Sequence, residues 1–213
     1  LLKIMKKNNL NKIIFSSTSA IYAGKEKDFV DEDYDKEIIS IYAMSKYAGE
    51  HVLSSFNELY SLDSVSLRYF NVYGERQRPE SEYSSVIPAF IDRAIRDEPL
   101  IIYGDGTQSR DFIHVKDVAR ANLASIHAPS GVYNIGSGQE TTINSLAKEV
   151  RKLVNSTSSI VNEVDRFGDI KYSLCNNSKA IKNLNWEPKM NLSKGLYETF
   201  QWYSKYINEK NTK

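Results

Sequence analysis

The sequence predicts an α/β fold built on an open, parallel sheet, and three observations lead there. Lys12-Ile-Ile-Phe-Ser-Ser17 is a short apolar run ending in hydroxyl residues. A stretch from about 41 to 60, rich in Ala, Met, Lys, Glu and Leu, has helix-forming composition and stops before Ser61-Leu-Asp63. Ser64-Val-Ser-Leu-Arg-Tyr-Phe70 then alternates as a strand does. Strand, long helix, strand is the β-α-β end of such a sheet.

The remaining elements follow in order. Residues 25–37 form an acidic, loop-like stretch between the first strand and the helix. Beyond Asn71 the rhythm becomes mixed. Residues 86–96 have helical spacing, with Ile87, Phe90, Ile91, Ala94 and Ile95 on one side. Pro99-Leu-Ile-Ile-Tyr103 reads as a strand, Gly104-Asp-Gly106 as a turn and Phe112-Ile-His-Val115 as a strand. A helix from Asp117 to Ile126, a strand at Gly131–Gly136 and a helix capped by Thr142 come next. Ser178 is expected to cap a helix at 179–184. The last helix spans about 193–206, and the tail at 208–213 is expected to fray.

Composition narrows the function classes. The chain has 213 residues, enough for one large domain or two small ones, with Lys+Arg 28 against Asp+Glu 27. A net charge of +1 without a long basic run gives no electrostatic case for nucleic acid or an anionic membrane. The apolar stretches are strand-sized, too short to span a bilayer. The single cysteine, Cys175, cannot form an internal disulfide, and no Cys/His cluster has metal-ligand spacing. A reducing, cytoplasmic compartment is the expectation.

Chemistry concentrates at Tyr42-Ala-Met-Ser-Lys46. A phenol and an ammonium at i and i+4 are neighbours on one helix face, and a cation beside a phenol favours the phenolate. The spacing alone carries little weight, because Tyr206 and Lys210 share it near the C-terminus. Either pair is equally readable as a surface helix pair. Context separates them. Upstream of Tyr42, Phe15-Ser-Ser-Thr-Ser-Ala-Ile-Tyr22 places hydroxyls at a strand's carboxyl end, where open α/β sheets bind ligands. Downstream, Leu67-Arg-Tyr-Phe-Asn-Val-Tyr-Gly74 brings Asn71 to another strand end. His114 reads as a local hydrogen-bonding residue and Cys175 as a small packed one. Arg110 beside Asp111 is open to an ordinary ion-pair reading, and Tyr103 to that of an edge-strand aromatic.

With Ser-Ser-Thr before Tyr-x-x-x-Lys, Arg68-Tyr-Phe-Asn71, Tyr103-Gly-Asp-Gly-Thr-Gln-Ser-Arg-Asp-Phe112, Tyr133-Asn-Ile-Gly136 and Arg166-Phe-Gly-Asp169, the chain from Lys12 onward resembles a known family. That family is the extended short-chain dehydrogenase/reductases acting on nucleotide sugars, particularly the UDP-galactose/UDP-N-acetylglucosamine 4-epimerases. The resemblance implies the carboxyl-terminal part of a Rossmann-type parallel sheet (1–70) plus a smaller mixed α/β substrate-binding domain (mainly 71–213). It implies NAD as cofactor and a UDP-sugar as substrate. It makes Thr18 the catalytic hydroxyl, Tyr42 the acid/base and Lys46 the ligand of the nicotinamide ribose. Phe70 would sit by the nicotinamide and Asn71 by the substrate diphosphate. Val86 and Tyr103 would flank the uracil, Arg110 and Arg166 would hold the nucleotide and diphosphate, and Asp169 would hold its ribose. These residue types suit their tasks, since guanidinium forks match phosphate and a tyrosine face matches a planar base.

The resemblance also narrows the reaction. Nucleotide-sugar 4,6-dehydratases put Asp-Glu directly after the catalytic Thr, and the UDP-glucuronate decarboxylases typically keep a Glu where Ala20 stands. Here Ser19 and Ala20 carry no carboxyl group. Reversible oxidation at C4, the chemistry of epimerisation, needs none. Ser173, seven residues after Arg166, corresponds to a position lining the hexose pocket, where a small residue leaves room for a 2-acetamido group. N-acetylhexosamines are therefore expected among the substrates, in the setting of surface polysaccharide synthesis. Tyr22-Ala-Gly24 departs from the family's Tyr-Gly and shifts the loop that follows.

No G-x-x-G-x-x-G occurs, and Gly136-Ser-Gly138 follows a late strand. With Leu1 in place of Met, a preceding glycine-rich segment is expected. Without one, NAD binding would be very weak, turnover negligible and the edge at Lys12–Phe15 exposed to aggregation. Two other readings are a non-catalytic remnant that binds a UDP-sugar and another C4-modifying enzyme such as a UDP-glucuronate 4-epimerase. A homodimer through the helix at 41–60 is implied, with Leu53, Phe56 and Leu59 as candidate contacts or simply core.

Overall fold

A computed structural model describes residues 1–22, 28–77, 85–166 and 170–211, with side chains through 207. A short helix α1 (Leu2–Lys7) precedes strand β1 (Lys12–Thr18), which runs into a single 3-10 turn at Ser19–Tyr22. Helix α2 (Ile41–Tyr60) then leads to β2 (Asp63–Tyr69). Ser40 starts α2, its hydroxyl accepting the Ala43 amide at 3.1 Å, and Ser61 ends it in a left-handed conformation (φ 52°).

β2 is the central strand of a three-stranded parallel sheet. It pairs with β1, from Lys12 opposite Asp63 to Thr18 opposite Tyr69. On its other edge lies β6 (Gly131–Ile135), Val65 facing Gly131 and Tyr69 facing Ile135. This sheet thus takes one strand from well beyond residue 70. Successive residues of a strand point to opposite faces. Leu67 faces a core with Val118, Ala121, Ala180, Leu184 and Trp186, from helices α4 (Val115–Ala124) and α6 (Ser178–Leu184) and the turn after α6, whereas Arg68 faces α2. Helices therefore cover both faces.

The other lobe holds a sheet of β3 (Asn71–Tyr73), β5 (Ser109–His114) and β7 (Glu140–Thr142), with β3 parallel and β7 antiparallel to β5. A parallel pair joins β4 (Leu100–Tyr103) to β8 (Ile160–Glu163). Helices α3 (Val86–Ile95), α5 (Ile143–Val154) and α7 (Leu192–Asn211) close over a core that includes Ile87, Phe90, Leu146, Val150, Leu196 and Tyr203.

Several elements differ from expectation. α1, β3, β7 and β8 carry only three to six residues each, too few for a periodic signal. The strand expected at 112–115 begins at Ser109 because β7 supplies a partner there. Ser178 is the first residue of α6 instead of its cap; its amide donates to Asn176 Oδ1 at 3.1 Å. α7 continues to Asn211, into the stretch expected to fray, and residues 212–213 lie outside the described ones.

Candidate functional site

The site forms where β1 and β2 end. α2 packs on both strands, and at 3.6 residues per turn Tyr42, Lys46 and Glu50 share one face. That face enters the protein progressively. Tyr42 is 54% exposed and Glu50 6%. The Lys46 ammonium lies 2.9 Å from the Ser16 carbonyl and 5.9 Å from the centroid of the Tyr42 ring. It is thus held at the carboxyl end of β1 with the phenol one turn away. Thr18, two residues further along β1, is buried, and its hydroxyl accepts the Ala20 amide at 3.2 Å, fixing it at the entry to the 3-10 turn.

A second grouping joins Asn71 and Ser173. The Ser173 hydroxyl donates to Asn71 Oδ1 at 3.4 Å, and Asn71 lies opposite Phe112 in the β3–β5 pairing, on the strand that carries Arg110. Arg110 is half-buried and donates to the Ser109 carbonyl at 2.9 Å. Its neighbour Asp111 is fully buried. Oδ1 takes the Ser137 amide and hydroxyl at 2.6 and 2.7 Å, and Oδ2 takes the Gly138 and Cys175 amides at 2.8 and 3.2 Å. Burial pushes this carboxyl up to about 6 against the pull of those donors. Asp111 therefore ties β5 to the segment that presents Ser173.

The third grouping is at the end of β4. The Arg166 guanidinium lies 3.7 Å from the centroid of the Tyr103 ring, and both line an open cavity of about 770 Å³ with Asn162, Glu163 and Val164. The Asn162 amide donates to the Gly104 carbonyl at 2.6 Å, holding the β4 turn beside it. Such a hollow, with an aromatic face and a guanidinium, suits a planar base carrying phosphate.

The other expected residues fall as follows. Phe70 is buried with Ile21, Tyr22, Ala43 and Cys175, leaving 5% of its surface exposed. Val86 is the first residue of α3 and packs against the core of the second lobe. Asp169 lies outside the described residues, as do Ala23, Gly24 and the rest of the Arg166-Phe-Gly-Asp169 motif after Arg166. His114 caps α4, its Nδ1 accepting the Lys116 amide at 3.3 Å, and burial lowers its pKa. Leu53, a candidate for contact with a second copy, is 4% exposed and faces inward, so it is core.

Sequence reasoning passed over Glu50 and Arg68, which form a buried bidentate pair, Nε to Oε1 at 3.0 Å and Nη2 to Oε2 at 2.7 Å. A signal was present. Glu50 stands four residues after Lys46, and Arg68 is the one charged residue in the buried part of its strand; charges rarely enter a core unpaired.

A sequence model of the "NAD dependent epimerase/dehydratase family" matches residues 1–136. A protein of Methanocaldococcus jannaschii, described as a putative UDP-glucose 4-epimerase, is 36% identical over 203 residues, 95% of this chain and 66% of that protein. Among solved structures, the UDP-glucose 4-epimerase of Thermotoga maritima with UDP-glucose superposes with a TM-score of 0.93 at 38% identity, covering 97% of this chain and 68% of that one. The UDP-N-acetylglucosamine 4-epimerase of Methanobrevibacter ruminantium, in complex with UDP-N-acetylmuramic acid, gives 0.92 at 40%, covering 97% and 67%.

Proposed function

The chain belongs to the NAD dependent epimerase/dehydratase family, and on that premise we propose that its protein inverts C4 of a UDP-hexose or UDP-N-acetylhexosamine through a transient 4-keto sugar. One observation carries the reading. An ammonium fixed to the Ser16 carbonyl stands beside a half-exposed phenol one helical turn away, at the strand end that also holds the Thr18 hydroxyl.

The residues have distinct tasks. Tyr42 Oη takes the proton of the C4 hydroxyl, and Thr18 Oγ1 hydrogen-bonds the same oxygen. Lys46 keeps a positive charge beside the phenol as the proton arrives and leaves. After the keto sugar turns over in the pocket, Tyr42 returns the proton to the oxygen. NAD held beside Lys46 and Tyr42 would supply reversible hydride exchange at C4, on either face of the sugar. The donor set fits the nicotinamide end of that cofactor, an ammonium and a phenol being suited to ribose hydroxyls. The glycine-rich turn that would hold its pyrophosphate does not occur in these 213 residues, so this chain by itself is expected to bind NAD weakly.

Tyr103 and Arg166 take the uridine diphosphate handle with Asn71, Val86, Arg110 and Asp169, while Ser173 borders the sugar. Ser19 and Ala20, the positions after Thr18, offer no carboxyl group for eliminating water, which favours epimerisation over dehydration. The second copy in a homodimer packs against the outer stripe of α2. Ile41, Met44, Val52 and Leu59 are 91%, 54%, 50% and 71% exposed on that single side.

The experiment incubates the whole protein with NAD and, separately, UDP-N-acetylglucosamine and UDP-glucose, following the anomeric protons by NMR. Interconversion with the galacto epimer, lost on Tyr42→Phe by on the order of 10²-fold or more, supports the proposal. Release of water without epimerisation, or full activity in Tyr42→Phe, defeats it.

A further inference from the structure

We infer that Glu50 and Arg68 are positioning residues for the Tyr42–Lys46 pair, acting as a buried clamp that sets where α2 stands against the ends of β1 and β2. The inference rests on the roles given above to Tyr42 and Lys46. Glu50 sits one turn below Lys46 and two below Tyr42 on the same helix face, so any slip or rotation of α2 moves all three together. Its carboxylate meets both strands. Arg68 of β2 binds it through two nitrogens, and the Ser17 hydroxyl of β1 donates to Oε1. Ser17 lies between Ser16, whose carbonyl takes the Lys46 ammonium, and Thr18.

The clamp is braced from behind. Arg68 Nη1 donates to the Tyr22 hydroxyl at 2.6 Å and to the Glu32 carbonyl at 3.0 Å. The Tyr22 hydroxyl donates to Asn134 Oδ1 of β6 at 2.8 Å, and the Asn134 backbone N–H donates to Glu32 Oε1 at 2.6 Å. One guanidinium thus links α2, β2, the 3-10 turn after Thr18 and the 30–32 segment.

Stability alone does not account for these charges. Apolar side chains of similar volume commonly hold a core as well as a buried ion pair or better. A bidentate pair supplies what apolar contact lacks, a single register and direction. Catalytic geometry is sensitive to register, since a displacement of about 1 Å can cost on the order of 10²-fold in rate.

The test replaces both charges at once, Glu50→Leu with Arg68→Leu, so that no unpaired charge is left in the core. Two readouts are taken in the whole protein: amide hydrogen exchange along α2, and kcat with KM. The expected result is a folded protein in which amides at 44–48 exchange on the order of tenfold faster while those at 54–60 do not change. kcat falls on the order of tenfold or more, with KM within about twofold. A folded double variant with wild-type exchange at 44–48, or with wild-type kcat, overturns the inference. If the unaltered protein turns over no UDP-sugar, it is the proposed function that has failed, and the exchange result alone decides on the clamp. Should the double variant not fold, Ser17→Ala removes one donor and leaves the ion pair. It is expected to change exchange at 44–48 in the same direction by a smaller factor, and no change there overturns the inference.

Discussion

The Arg166 guanidinium rests on the face of Tyr103, 3.7 Å from the ring centroid, above a cavity of about 770 Å³. The cation and the aromatic face that a nucleoside diphosphate needs are therefore already adjacent. Because the guanidinium is planar and the ammonium is not, Arg166→Lys is expected to weaken UDP binding almost as much as Arg166→Ala, on the order of tenfold. Isothermal titration with UDP reads this directly, and unchanged affinity in both variants contradicts the assignment.

The Lys46 ammonium donates to the Ser16 carbonyl at 2.9 Å. Lys46→Met keeps the aliphatic stem and removes the charge beside the phenol. It is expected to lower kcat by on the order of 10²-fold or more while leaving the far-ultraviolet circular dichroism of the protein as it was. Wild-type turnover in this variant would remove Lys46 from the chemistry.

Ser173 is 9% exposed and hydrogen-bonded to Asn71. Filling that space with a ring, as in Ser173→Tyr, is expected to reduce kcat/KM for UDP-N-acetylglucosamine far more than for UDP-glucose. One lost subsite of this kind is worth on the order of 10- to 200-fold in discrimination. An unchanged ratio of the two substrates shows that the acetamido group does not reach Ser173.

Asp111 makes stability depend on pH with a definite sign. Its folded pKa of about 6 lies above the unfolded value of 3.8, so folding takes up a proton between those values. The group's contribution therefore grows as the pH falls from about 6 to about 4, reaching about 3 kcal/mol. His114 opposes it, since its pKa is lowered from 6.5 by burial and acid favours the unfolded chain there. Asp111→Asn separates the two. The variant turns amide donors towards the Gly138 or Cys175 amides and is expected to lose on the order of 2 kcal/mol at pH 7. Urea unfolding at pH 7 and pH 5 should show the gap from wild type widening at the lower value.

The outer stripe of α2 predicts association. Val52→Glu, at a 50% exposed position away from Tyr42, is expected to halve the mass seen by sedimentation and leave the monomer folded. A wild-type protein that sediments as a monomer at micromolar concentration contradicts the dimer.

Much of the fold could be read locally. α2 was legible at about 41–60 because helix-forming side chains and a stop signal are contained in one segment, whereas its cap, Ser40, was supplied by the structure. β1 and β2 were legible because apolar runs bounded by polar residues are local too. β3 and β8 were not, since strands this short exist only through a partner 41 or 60 residues away, as Asn71 does opposite Phe112 and Ile160 opposite Leu100. Thr18, Tyr42 and Lys46 were singled out through the resemblance of their motifs to a known family, the spacing alone carrying little weight. That Lys46 reaches the Ser16 carbonyl required the packing of α2 on β1.

By itself the amino-acid sequence determined the α/β rhythm, the phenol–ammonium spacing and the types of residue available for a nucleotide sugar, because these depend on neighbours along the chain. Only the tertiary structure decided that Leu53 faces inward while Val52 faces out, that Arg166 lies on Tyr103, and that Glu50 is tied to Arg68 and Ser17. Those relationships join segments distant in sequence. Their geometry follows from which faces pack together and which buried charges find partners, and neither is written in local order.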